Sequence, residues 1–262
     1  MKKCTTKVMF VAWLFALPIF FLPQHYAMAG DLSFLSFDSK EMISFDLSFK
    51  QYMTSYKIFI EKEKGLKSLS NASKKWDAMI VKANQLSADE ATIGRMIVIK
   101  GLLIQTRGLA NQGRFDESVE LSTPIRTELY ALHDALNMLT SEDYMIFFHN
   151  GVIHRAEPLI AEGRYLELEM LIPLIEDTVV KFKTPPKGAS NVKMYNKRYG
   201  IFAKKVKTYT SAIKQINKYV DPEYGGYMLS KKIEDAHTTV VKKYGPIYLS
   251  FPDGMVWPKK KK

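Results

Sequence analysis

The chain has 262 residues, 47% of them hydrophobic, and its 38 Lys and Arg against 27 Asp and Glu give a net charge of +11. This apolar content excludes an intrinsically disordered chain, and 14 glycines with 11 prolines exclude a collagen-like or low-complexity protein. One cysteine excludes a disulfide scaffold. The length of the chain is enough for one large or two small globular domains.

The N-terminus has the three-part pattern of a secretory signal peptide. Lys2 and Lys3 precede an apolar run over residues 8–22, and a small-x-small pattern ends at Ala29. We therefore predict cleavage after Ala29 and a periplasmic or secreted protein; the alternative is an uncleaved membrane anchor. The only cysteine, Cys4, precedes the cleavage site, so the mature chain has no thiol for disulfides or metal. No second long apolar run follows, so we expect no transmembrane segment in the mature chain.

Apolar residues recur at spacings of three and four along the rest of the chain. In chain order, such stripes cover residues 42–59, 125–139, 145–160 and 195–220, and a last helix is predicted from Leu229 to Lys243. No competing pattern of alternating strands and hairpin turns is present. The sequence therefore predicts an all-α fold, a bundle or short array of αα-hairpins with about seven to eight helices.

Charge and proline divide the predicted chain into four parts. The signal peptide (1–29) is followed by an acidic helical-hairpin region (30–183) and by basic C-terminal helices (184–244) that pack on the same domain. The run from Thr184 to Gly188, with two prolines, marks the boundary between them. Residues 245–262 contain Pro246, Pro252 and Pro258 and are predicted to form an extended, Lys-rich tail.

An internal repeat is the most specific feature of the sequence. Residues 101–117 align without a gap with residues 151–167. The aligned pairs include Gly113 with Gly163, Arg114 with Arg164, and Phe115 with Tyr165. Each copy predicts a helix end, a tight turn in which the glycine is left-handed, and the start of the next helix. The aromatic residue is expected to pack into the angle between the two helices.

The stretch from Asn111 to Glu120, NQGRFDESVE, resembles the turn and second-helix start of tetratricopeptide repeats. The resemblance covers two junctions of about fifteen residues each, and the family's period is about 34 residues. It implies a helical scaffold that serves for protein contact. The alternative is a common hairpin turn that is used twice.

One residue pair has a spacing that can present metal ligands. His154 and Glu157 lie three residues apart on a predicted helix, whereas His149, five residues before His154, is predicted to face another side. In this His-x-x-Glu pair the chain resembles the imelysin-like family of periplasmic iron-handling proteins, in which such a pair also occurs. In that family, however, a glycine stands closer to the histidine than Gly151 stands to His154 here. Because His154 aligns with Ile104, a packing role is the alternative. A metal ion at these three residues is therefore one hypothesis, and no other cofactor is expected.

Known catalytic motifs are missing from the sequence. It has no Gly-x-Ser-x-Gly elbow, no phosphate-binding glycine loop and no His-Glu-x-x-His motif. No catalytic residue is assigned, and the sequence favours a protein that is not an enzyme without deciding the question.

The positive charge is concentrated in the C-terminal third. Residues 30–179 contain 16 basic and 22 acidic residues, whereas residues 180–262 contain 19 basic and 5 acidic ones. Because all but one of those basic residues are lysines, and because export is predicted, nucleic acid is not expected as a partner. The partner would be an acidic protein, an anionic membrane surface or an envelope polymer, contacted through Lys204, Lys205, Lys207, Lys259 and Lys260. Alternatively, the chain's own acidic region neutralises the positive charge of the C-terminal third, and no external partner binds there.

Taken together, these features favour an exported, all-helical scaffold or adaptor that binds another envelope protein. Two alternatives stay open: a metal- or cofactor-binding bundle that uses His154 and Glu157, and a peripheral envelope-surface protein that binds through its Lys-rich C-terminus.

Overall fold

A computed structural model describes residues 30–55, 61–187, 189, 191–216 and 225–249 of the chain. Over these residues the protein is all-helical, with eight helices and no strand, which confirms the predicted fold class. The predicted signal peptide with its cleavage site at Ala29 lies outside the described residues, as do Lys259 and Lys260.

The helices follow one another with short connections. They are α1 (Lys40–Thr54), α2 (Lys62–Gln85), α3 (Glu90–Asn111), α4 (115–135), α5 (141–161), α6 (165–181), α7 (Val192–Ile216) and α8 (Gly225–Tyr248). Helix α4 is interrupted at Leu121 and α6 at Leu171, fifty positions apart in the chain. Helix α5 contains a π-helical segment, Phe148–Ile153, between two α-helical ones.

Polar side chains define where several helices begin. The Ser39 hydroxyl accepts a hydrogen bond from the Met42 amide at 3.0 Å, and the Asp89 carboxylate accepts one from the Thr92 amide at 2.8 Å. At the start of α5, Thr140 and Asp143 form a reciprocal capping box. Each such cap stabilises its helix by about 1 kcal/mol because it satisfies an amide that has no partner within the helix.

Four consecutive helices end in the same left-handed turn. The residues with positive φ are Ser87, Gly113, Asn137 and Gly163. In the two predicted junctions, the Arg114 amide donates to the Leu109 carbonyl at 3.0 Å and the Arg164 amide to the Leu159 carbonyl at 2.8 Å. This is the Schellman arrangement, which satisfies the last carbonyls of a helix. The sequence repeat therefore corresponds to two helix pairs, α3–α4 and α5–α6.

The hydrophobic core of the described residues consists of two clusters that meet at α5. The first joins α1 to α4, and the indole of Trp76 donates to the Met96 carbonyl at 2.9 Å to tie α2 to α3. The second joins α5 to α8. There the hydroxyl of Tyr195 on α7 donates to the Phe182 carbonyl at 2.7 Å. The basic helices α7 and α8 thus share one core with α5 and α6, and Tyr195, Phe202 and Tyr209 of the predicted α7 stripe are buried in that core.

Helix α8 continues past the point where an extended tail was predicted to start. Gly245 and Pro246 lie within the helix, which ends at Tyr248. Proline lacks an amide hydrogen and weakens a helix, but Ile247 is fully buried in the second cluster, and this packing outweighs the local preference. The prediction of an extended tail from residue 245 is therefore wrong for residues 245–248; residues 250–262 lie outside the described part of the chain.

Candidate functional site

The two repeated turns have the same side-chain contacts. The Arg114 guanidinium forms a two-pronged contact with Glu117, and the Arg164 Nε donates to Glu167 at 2.7 Å in the equivalent contact. Phe115 and Tyr165 pack, half-buried, against the first and second core clusters respectively. Each repeated turn therefore uses its aligned residues within the hairpin. The arginine pairs with a glutamate, the glycine provides the left-handed backbone, and the aromatic residue packs on the core.

The histidines of α5 lie closer together than predicted. The rings of His149 and His154 are in edge-to-face contact, with centroids 4.5 Å apart. The prediction that they face different sides of the helix is wrong because Phe148–Ile153 is π-helical. A π-helix bonds residue i to i+5, so residues five apart stack on one face.

Glu157 extends this cluster of side chains. His154 Nδ1 lies 3.2 Å from one oxygen of Glu157, and His237 Nε2 lies 4.0 Å from the other. Burial lowers the pKa of His237, and the Glu157 charge opposes this shift. Among the described residues, no group of three or more His, Cys, Asp or Glu side chains is arranged to hold a metal ion. His154 is not a core residue either, because both it and the aligned Ile104 are about half exposed.

Helix α7 presents a strongly basic surface. It contains six lysines and one arginine but no acidic residue. Lys204, Lys205 and Lys207 are exposed. Lys214 is partly neutralised by Glu176 of α6, at 3.6 Å, and Arg198 donates to the Pro246 carbonyl at 3.0 Å. The predicted basic region therefore divides its charge between contacts within the chain and solvent.

The outer face of α3 is uncharged and largely apolar. We call it the Gly–Ile face, and its residues are Gly94, Ile97, Val98, Gly101, Ile104, Gln105 and Gly108. The three aliphatic side chains are each about half exposed, and a Cβ atom added at any of the three glycines would meet nothing within 4 Å. The glycines repeat every seven residues, as do the isoleucines, so the face forms a stripe about 20 Å long that shifts by about 20° per heptad around the helix. An exposed helix face ordinarily carries charged residues.

A group of charged side chains is buried where α1, α4 and α5 meet. On α1, Lys50 Nζ lies 3.2 Å from Asp46 and 2.5 Å from Glu142 of α5, and it is fully buried together with both carboxylates. Arg126 of α4 pairs with the other oxygen of Asp46 and is 3% exposed. From α8, the Tyr248 carbonyl accepts from Lys50 at 3.1 Å, and the centroid of the Tyr248 ring lies 4.0 Å from the ammonium group. We call these four side chains, Asp46, Lys50, Arg126 and Glu142, the buried charge cluster.

Burial and neighbouring charges set the protonation of this cluster. Burial raises the pKa of Glu142 to about 7, because loss of hydration outweighs the stabilising charge of Lys50. For Arg126, burial alone would lower the pKa, but the Asp46 charge outweighs it and the pKa is raised. Near neutral pH Glu142 therefore changes between its charged and its neutral form, whereas Arg126 stays charged.

Sequence reasoning missed the buried charge cluster entirely. The one local signal is the pair Asp46 and Lys50, four residues apart and next to the apolar stripe of α1. Such pairs are usually exposed, and the contact of Lys50 with Glu142 spans 92 positions of the chain. Only the tertiary structure brings these residues together.

No family model, no curated protein and no solved structure matches this chain. Within the described residues, no helix has both the length and the apolar character needed to cross a membrane. Function is therefore inferred from the surfaces and clusters described above.

Proposed function

We propose that this protein is an exported helical adaptor that binds another envelope protein through the Gly–Ile face of α3. Its N-terminal sequence pattern supports export, and the helix pairs α3–α4 and α5–α6 support a role as a scaffold for protein contact. The observation that carries the proposal is the uncharged stripe on α3. The occupant is an α-helix of the partner, with an apolar seam of its own.

The glycines of this face have no packing role within the described part of the chain, and they weaken α3. Each glycine in a helix interior costs about 1 kcal/mol relative to alanine, so three of them cost about 2–3 kcal/mol. Because a Cβ atom at Gly94, Gly101 or Gly108 would have no neighbour within 4 Å, internal crowding does not explain them. Small residues at heptad spacing do allow another helix to approach closely, near 8 Å between axes. A docked helix accounts for both the glycines and the exposed isoleucines.

Copurification of the partner with variants of the full chain tests this function. Ile104→Asp places a charge within the Gly–Ile face, and Met170→Asp places the same charge on α6, where the methionine is 78% exposed. We expect a protein from the envelope fraction that is retained by the wild type and by Met170→Asp but lost with Ile104→Asp. Both variants should keep the wild-type melting temperature, since each changes an exposed side chain.

Two results contradict the proposal. One is retention of the same partner by Ile104→Asp. The other is a dimer of the purified wild type in light scattering that Ile104→Asp converts to a monomer, because the face would then bind a second copy of this chain.

The basic surface of α7 supports a second candidate, attachment to an anionic membrane surface. Each lysine near such a surface contributes about 1 kcal/mol of attraction. We expect sedimentation with phosphatidylglycerol vesicles, but not with phosphatidylcholine vesicles, and loss of sedimentation when Lys204, Lys205 and Lys207 are all changed to Glu. The matched control changes Lys64, Lys67 and Lys74 of α2 to Glu. Equal loss in both variants would mean that total charge, and not α7, determines binding.

A further inference from the structure

A cavity of about 270 Å³ lies beside the buried charge cluster, between α1, α4, α5 and α8. Its wall is largely apolar and includes Met53, Val119, Ile146, Val241 and Tyr244. Arg126 is the one Lys, Arg, Asp or Glu side chain in the described wall. Apolar cavities with a few polar groups at one end are typical of small-molecule binding sites.

Arg126 has hydrogen-bonding capacity that its neighbours do not use. Its Nη1 pairs with Asp46, but Nε and Nη2 have no hydrogen-bond partner among the described residues. The side chain is almost completely buried, so leaving these N–H groups without an acceptor is costly. Nε and Nη2 together form one edge of the guanidinium, and this edge matches the two oxygens of a carboxylate.

We propose that the cavity binds a small amphipathic carboxylic acid, whose carboxylate accepts hydrogen bonds from Nε and Nη2 of Arg126 and whose apolar body fills the space between the four helices. This inference is independent of the Gly–Ile face and of the adaptor function. A cavity of about 150 Å³ holds benzene, so this one accommodates a ligand of about ten non-hydrogen atoms. Octanoate has that size.

The charge of the cluster favours an anion with a single charge. Lys50 and Arg126 face Asp46 and Glu142, and the Tyr248 ring covers Lys50. Burial raises the pKa of Glu142 to about 7, so near neutral pH this carboxyl is partly in its uncharged form. A single carboxylate beside Arg126 supplies the negative charge that an uncharged Glu142 lacks, whereas a phosphate dianion would bring a second negative charge into the buried site.

Calorimetric titration of the full-length protein with octanoate, and with 1-octanol as the uncharged analogue, tests the proposal. We expect a Kd for octanoate below about 1 mM and an affinity at least about tenfold higher than for octanol, because charge-assisted hydrogen bonds distinguish the two. Failure of the wild type to bind octanoate at millimolar concentration overturns the proposal. Equal affinities for the acid and the alcohol overturn it as well.

Two variants locate the ligand. Arg126→Lys keeps the positive charge opposite Asp46 but removes the two-pronged edge, so octanoate should bind at least about tenfold more weakly while octanol binding is unchanged. Val241→Trp fills the cavity and should weaken both ligands without touching the charge cluster. Arg95→Lys, at a partly exposed arginine paired with Glu128, is the matched control and should bind like the wild type. Wild-type octanoate binding by both Arg126→Lys and Val241→Trp would overturn the proposed site.

Discussion

The substitution Glu142→Gln tests the electrostatics of the buried charge cluster. Glutamine has the same shape as protonated glutamate, and its carbonyl oxygen can still accept from Lys50. The wild-type carboxyl has a pKa of about 7 in the folded protein, against 4.5 for an ordinary glutamate. Between these two values the folded protein holds a proton that the unfolded chain has released, so stability falls as the pH rises. At 1.4 kcal/mol per pKa unit, the loss from below pH 4.5 to above pH 7 is about 3 kcal/mol.

The glutamine variant does not titrate, so its stability relative to the wild type should increase by about 3 kcal/mol between pH 4 and pH 8. Urea denaturation of both proteins, followed by circular dichroism at several pH values, measures this difference. Histidines titrate in the same window, but their contributions largely cancel in the comparison. A control, Glu176→Gln, changes an exposed carboxylate 3.6 Å from Lys214 and should shift stability by less than about 1 kcal/mol. A constant difference would refute the raised pKa, and a decrease with pH would indicate an ordinary ion pair.

Three further predictions concern stability and are measured by urea or thermal unfolding. Asp46→Asn removes the anion between Lys50 and Arg126 and should destabilise the protein by about 3–5 kcal/mol, whereas Asp77→Asn, at an exposed pair with Lys100, should cost less than about 1 kcal/mol. Gly163→Ala should cost about 1 kcal/mol, because φ is +69° there and the loss would come from the backbone alone. Gly101→Ala should stabilise by up to about 1 kcal/mol, and Gly151→Ala should be at least about 1 kcal/mol less favourable than Gly101→Ala.

The fold was predictable because its signals are local. Apolar spacing marked the helices, and Gly113 and Gly163 marked two of the four left-handed turns, since glycine favours positive φ. The equivalent turns at Ser87 and Asn137 were not predicted, because these residues also occur in many other conformations. The end of α8 was missed for a different reason: packing of Ile247 decides it, and no local pattern reports that contact.

The candidate sites were much less predictable. The pair His154 and Glu157 is close together as its spacing predicts, but His149 joins it only through the π-helical segment. A bulge of this kind depends on how α5 packs, and the periodicity of the sequence does not reveal it. Arg126 lies next to an apolar stripe and has the sequence signature of an exposed residue, although its side chain is buried against Asp46.

The aligned glycines Gly101 and Gly151 show how one sequence feature can have two physical causes. A Cβ atom at Gly151 would lie 3.0 Å from the ring of Phe147, which stacks on Tyr130, so crowding within the chain explains this glycine. At Gly101 the same atom would meet nothing within 4 Å. Alanine at position 101 should therefore stabilise α3, yet its methyl group would prevent a docking helix from approaching the Gly–Ile face as closely. A Gly101→Ala variant that is more stable and binds the partner less well would separate the two causes; unchanged binding would mean that the glycine is not needed for docking.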